Sequence, residues 1–193
     1  MFPLWIKVAY TLFVGIVIPV YWVKYGPTNF LWFSDIALFL IVPALWCESG
    51  LLASMTTLSV FLLDLAWNVD FFGRLLTGRS LLGLSRYMFT ATVPLPVRLL
   101  SLFHIWFPLL LLWMVYRLGY DERALLAQTV LAWLVLPLTY WVTDPSENIN
   151  WVRGPRGEPQ KWMPGWLYLL VQMVALPILI YLPTHLVLKK LML

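Results

Sequence analysis

The chain is poor in the residues that most soluble enzymes are built around. Charged residues make up only 11% of its 193 positions, there are two histidines, and there is a single cysteine. A soluble domain carries about 25% charged residues, so a water-facing surface is largely missing. One cysteine excludes an internal disulfide and any CxxC metal or redox motif. Cys47, inside an apolar stretch, reads as packing rather than nucleophile. Zinc asks for three or four clustered His, Cys or acidic ligands, and two histidines far apart in sequence do not supply them. No GxSxG, HExxH, P-loop or dinucleotide-binding glycine pattern occurs. No basic run is long enough for a nucleic-acid surface, so no nucleic-acid partner is expected.

Apolar residues fill the space instead. They make up 62% of the sequence, with twelve tryptophans and a mean hydropathy of +0.83. A membrane-spanning helix needs about 20 mostly apolar residues. Six stretches meet or approach that length: 4–23, 28–47, 51–68, 98–118, 123–143 and 164–188. The expected fold is an all-α membrane protein, a six-helix transmembrane bundle forming one polytopic domain over 1–193. The first stretch lacks a basic leader and a cleavage site, so it reads as a retained helix. Pro19, Pro43, Pro108, Pro137, Pro177 and Pro183 predict kinks, because neighbouring helices can satisfy the carbonyls that proline frees. Trp5, Trp22, Trp32, Trp46, Trp67, Trp141, Trp162 and Trp166 fall near segment ends, where interfacial aromatic belts form.

The connections are unequal. Residues 48–50 and 119–122 are tight turns. Residues 71–93 interleave apolar residues with Arg74, Arg79 and Arg86, which predicts an amphipathic segment lying in the interface. Residues 144–162 form a polar loop rich in Gly and Pro. With six spans, the loops 24–27, 69–97 and 144–163 share one side. That side collects Lys24, Arg74, Arg79, Arg86, Arg98, Arg153, Arg156 and Lys161, eight of the 13 basic residues. By the positive-inside rule these loops are expected in the cytoplasm, both termini outside, and the protein in a bacterial inner membrane.

Within this apolar background three ionisable side chains share one expected depth. Asp35, Asp64 and His104 each lie about 9–11 Å below the loop-rich surface, counting 1.5 Å per residue. Ser34 adjoins Asp35, Asn68 shares a helix face with Asp64, and Ser101 shares one with His104. Asp70, Asp144, Asn148 and Asn150 are expected to crown the group, with Asn148 and Asn150 pointing one way from an extended segment and Trp151 the other. A buried carboxylate costs about 2.5–3.5 kcal/mol at mid-membrane. Interhelical hydrogen bonds return only about 0.6–2 kcal/mol. The imbalance favours a functional site over simple helix glue.

The Ser34–Asp35 pair and a later His104 are similar to features of the membrane hydrolases that bind zinc through three histidines. Their terminal-helix His pair is absent here, so no ligand assignment follows. The four carboxylates Asp35, Asp64, Asp70 and Asp144 remain the candidate Mg²⁺ ligands, and no other cofactor is expected. The leading expectation is an integral-membrane enzyme acting on a lipid or isoprenoid head group. Asp35, Asp64 and His104 would be its acid/base groups, Ser34, Asn68, Asp70, Ser101, Asp144, Asn148 and Asn150 would position substrate, and Arg74 and Arg79 would hold phosphate. A proton-coupled transporter using Asp35, Asp64 and His104 as a relay is the first alternative, and a non-catalytic subunit of a membrane complex the second. The expected partner is membrane lipid, with a homo-oligomer also compatible. Glu48, Glu122 and His185 fall on the opposite rim and read as solvated or interfacial.

Overall fold

The computed structural model describes residues 1–155 and 159–192, so Arg156 of the basic count lies outside the described residues. Among the described residues the chain is all helical, with no strand. Its α-helices are α1 (Leu4–Tyr25), α2 (Phe33–Trp46), α3 (Gly50–Thr77), α4 (Leu95–Leu100), α5 (Phe103–Leu118), α6 (Ala124–Val142), α7 (Gly165–Leu176) and α8 (Leu182–Met192). α4 and α5 run on across a short break, and α7 and α8 across a π-helical turn at Pro177–Tyr181. Five continuous helical stretches are long and apolar enough to cross a membrane, and α2 is a shorter apolar helix. This is a helical integral-membrane bundle.

Contacts between connections define its two ends. At one, which we call the loop end, Thr28 meets Glu147 and Asn150 holds the backbone of Leu31 and Phe33. At the far end, Lys7 and the amide of Phe2 bond Glu48, the Asp121 amide bonds Ser54, and the Tyr120 hydroxyl meets His185. The chain passes between the ends six times, and α3 is the central helix, packed against α2, α5 and α6.

Two boundaries differ from the sequence expectation. The second span is not one continuous helix. Pro27–Leu31 is a 3₁₀ turn, Trp32 breaks it at φ −57° and ψ 134°, and α2 starts at Phe33. Asp35 therefore lies in the first turn of α2 rather than two turns deep, where the helix dipole favours a carboxylate. The third span was expected to end near residue 68, yet α3 runs to Thr77, where Gly78 caps it in a left-handed conformation at φ 72°. Its last turns occupy the start of the 71–93 segment, whose remainder is a folded loop with one 3₁₀ turn at Arg86–Phe89.

Proline shapes the bundle as membrane physics predicts. Pro108 has no N–H to give the His104 carbonyl, and the Asn68 amide from α3 donates to that oxygen at 2.7 Å. Pro177 likewise frees the Met173 carbonyl, and the Trp133 indole from α6 donates there at 2.9 Å. Trp5, Trp22, Trp46, Trp141, Trp162 and Trp166 are exposed, as a lipid-facing belt requires. Trp67 departs from that expectation and is buried. Cys47 is exposed rather than packed. Glu48 and Glu122 are paired with Lys7 and Lys189, and His185 is bonded to Tyr120.

Candidate functional site

The centre of the site is one carboxylate–imidazole contact between two helices. His104 Nδ1 on α5 lies 2.7 Å from Asp64 Oδ1 on α3. Asp64 is 3% exposed and the His104 side chain 13% exposed, so the pair is largely shielded from water yet reachable. Asn68, one turn beyond Asp64, spends its amide on the carbonyls of Asp64 and His104. The proline kink in α5 thus supplies the acceptor by which α3 holds the His104 backbone. The His104 ring lies against Trp67, with centroids 4.8 Å apart, and against Phe103 at 4.1 Å. These aromatic faces fix the plane of the imidazole.

Among the described residues Asp64 Oδ2 is buried and has no hydrogen-bond partner, while the Trp67 indole nitrogen, three residues on and on the same helix face, is turned toward the Tyr87 hydroxyl. Buried polar groups are nearly always satisfied. An unsatisfied carboxylate oxygen beside an imidazole is what a site for a polar group presents. With Asp64 accepting the Nδ1 proton, the other ring nitrogen, Nε2, carries a lone pair and can take a proton.

A second polar group adjoins the first. Asp35 is 3% exposed and accepts a 2.7 Å hydrogen bond from the Asn29 amide. The phenols of Tyr21, Tyr25 and Tyr87 lie within electrostatic range of the Asp35 carboxyl. Ser101, in the α4–α5 break, donates to the Val97 carbonyl, so the 2.9 Å contact with Tyr21 is a bond donated by the phenol. Tyr87 faces both Ser101 and Trp67, and burial raises its phenol well above the ordinary value. Among the described residues, no hydrogen bond joins Asp35 to either member of the Asp64–His104 pair.

The remaining sequence candidates divide sharply. Asp70 is fully buried, and both its oxygens accept bonds from the loop after α3: Ser80 Oγ and the Leu82 and Gly83 amides on Oδ1, the Ser85 amide and hydroxyl on Oδ2. It is saturated by its own chain. Asn148 and Asn150 are not extended. They and Trp151 take positive φ of 41°, 51° and 57°, which folds the segment tightly and removes the expected one-sided display. Asn148 braces its own loop through Gly154 and Arg153. Asn150 accepts the first amide of α2 at Phe33 and donates to Leu31. Asp144 is exposed and holds Ser146, and those bonds lower its carboxyl below the usual range. Ser34 is partly buried and enters no side-chain hydrogen bond among the described residues. Arg74 lies over the Phe89 ring at 4.7 Å, and Arg79 is exposed.

Among the described residues no three His, Cys, Asp or Glu side chains converge on a point that could hold an ion. The carboxylates of Asp35, Asp64, Asp70 and Asp144 are thus not gathered into the shared Mg²⁺ set that the sequence raised. Sequence reasoning missed Trp67, Tyr21, Tyr25, Tyr87 and Asn29. The only available signal was the i, i+3 spacing of Trp67 from Asp64, and the belt reading of tryptophan hid it. The fold and site together define a helical integral-membrane protein with a buried Asp–His pair near one end. No family model, curated protein or solved structure matches the chain.

Proposed function

We propose that this protein is an integral-membrane enzyme that acts on the head group of a lipid or isoprenoid by acid/base chemistry at Asp64 and His104. The observation that carries the reading is the pair itself: a 2.7 Å Asp–His contact whose second carboxylate oxygen is buried with no hydrogen-bond partner among the described residues. Asp64 holds the imidazole in the tautomer that leaves Nε2 free and stabilises the imidazolium when it forms. His104 takes a proton from the attacking hydroxyl and returns it to the leaving oxygen. Asp35, with Tyr21 and Tyr87, forms the polar wall beside Ser101. The loops lie in the cytoplasm of a bacterial inner membrane, and a head group reaches the pair between α3 and α5 from that side.

The test uses purified protein in nanodiscs made from a total bacterial lipid extract. Mass spectrometry follows head-group composition over time. Wild type converts a lipid species, and His104→Gln, folded to the same extent, does not. Equal conversion by both, or none by either, overturns the proposal.

A second reading draws on the other half of the bundle. Gln128 is fully buried and donates to Ser59 at 3.1 Å, with the Tyr181 hydroxyl at 3.5 Å, and Tyr120 and His185 follow toward the far end. These groups favour a proton-coupled transporter with Asp64 and His104 on its relay. Proton flux into vesicles that is lost in Gln128→Leu, with lipids unchanged, selects it.

A further inference from the structure

The two ends of the bundle treat their charges differently. At the far end each carboxylate meets a cation: Glu48 with Lys7 at 2.9 Å, Asp121 with Arg123 at 2.7 Å, and Glu122 with Lys189. At the loop end, among the described residues, Arg74, Arg79 and Arg86 pair with no carboxylate. The described loop carboxylates Asp70, Asp144 and Glu147 on that side are engaged elsewhere. Asp70 is filled by its loop, Asp144 holds Ser146, and Glu147 accepts from Thr28.

These arginines are nevertheless held in place. Asp70 pins residues 80–85 against the end of α3, which fixes the chain between Arg79 and Arg86. The Arg74 guanidinium rests on the Phe89 ring, 4.7 Å from its centroid. Arg86 lies across Gly83, whose φ of +84° and missing side chain make room for it. A Cβ there would stand 3.1 Å from Arg86 Nε. Around the three cations Phe72, Leu75, Leu76, Leu81 and Leu82 are exposed, Leu76 at 82%. Exposed leucines enter hydrocarbon, and arginines between them are then carried to the level of lipid phosphate. Guanidinium is the donor geometry that matches phosphate oxygens.

We propose that Arg74, Arg79 and Arg86, on the loop anchored by Asp70, form a binding site for the phosphate of an anionic phospholipid. The proposal names the head-group class of the lipid reading above and rests on it. Its binding step is measured apart from turnover. Each basic group near an anionic surface is worth about fivefold in affinity.

The test compares nanodiscs of phosphatidylcholine with and without phosphatidylglycerol. Lipid retained on the protein after transfer to detergent is counted by native mass spectrometry. Wild type retains phosphatidylglycerol selectively, and the triple variant Arg74→Gln/Arg79→Gln/Arg86→Gln loses that selectivity by at least about tenfold. Lys189→Gln/Lys190→Gln at the far end keeps it. Thermal unfolding in pure phosphatidylcholine confirms that the triple variant is folded, and Arg79→Gln alone, at a fully solvated side chain, gives a smaller loss in the same direction. His104→Gln keeps the lipid preference whether or not it abolishes turnover, so failure of the catalytic reading and failure of this site are told apart. Equal retention of both lipids by wild type overturns the proposal. So does unchanged selectivity in the triple variant, or competition of phosphatidylglycerol by millimolar inorganic phosphate.

Discussion

Asp64 and Asp70 stand on one helix, less than two turns apart, and both are buried, yet they live in opposite chemical conditions. Asp70 accepts from three backbone amides and two serine hydroxyls of the loop that folds back over it. Asp64 accepts from one imidazole and keeps an oxygen with no partner in the protein. A saturated carboxylate has no capacity left for a ligand, and its burial is explained by the loop it organises. An unsaturated one beside a base is costly unless something else uses it. Burial alone does not distinguish the two carboxylates; what does is the unspent oxygen of Asp64 beside an imidazole.

The contrast predicts a graded set of effects. His104→Leu leaves Asp64 buried without its partner and costs about 3–5 kcal/mol, whereas Asp64→Leu/His104→Leu together recover most of that loss. Thermal unfolding in detergent measures both, and a double variant no better than the single one breaks the distinction between pairing and packing. Asp70→Ala costs on the order of 3 kcal/mol, concentrated in the loop. Hydrogen exchange at Leu82, Gly83 and Ser85 accelerates while the amides around residue 64 stay protected. If protection falls equally at both places, the two carboxylates are one cooperative unit. Asn68→Leu orphans the carbonyl freed by Pro108 and costs about 1–2 kcal/mol. Replacing Pro108 by Ala in that background restores a backbone donor and recovers part of the loss.

The smallest effect lies at the far end and depends on pH. Bonds from Lys7 and from the Phe2 amide hold the Glu48 carboxyl below its ordinary value of 4.5. A lowered folded-state value means the contribution is present above that ordinary value and fades as pH falls through the lowered one. Protection of the first amides of the chain, relative to the intrinsic exchange rate at each pH, therefore falls in wild type as pH drops below that ordinary value and is already low, without that dependence, in Glu48→Gln. High salt weakens the same contact.

Much of the architecture is visible in hydropathy. Runs of apolar residues mark the crossings, and the tight turns at 48–50 and 119–122 mark antiparallel neighbours. Counting residues inward put Asp35, Asp64 and His104 at one depth from a third helix that closes at Asp70; Asp64 and His104 do lie within one hydrogen bond, but α3 runs on to Thr77 and Asp35 bonds Asn29 instead. What stayed hidden is non-local. The start of α2 depends on one backbone step at Trp32 and on Asn150 reaching it from more than a hundred residues away. The extension of α3 past Asp70 depends on a loop returning to meet it. The left-handed Asn148 and Asn150 obey the tolerance of asparagine for positive φ, but alternation along an extended strand was an equally simple reading of their spacing. Trp67 carries a residue type that serves belts and buried sites alike, so only the packing reveals its place beside His104.

The most direct measurement of the central claim is the membrane-lipid head-group profile of cells carrying Asp64→Asn, with protein abundance matched to wild type. The account predicts that one lipid species accumulates and another is depleted, and that Asp70→Asn at matched abundance leaves the profile closer to wild type. An Asp64→Asn profile indistinguishable from wild type contradicts it.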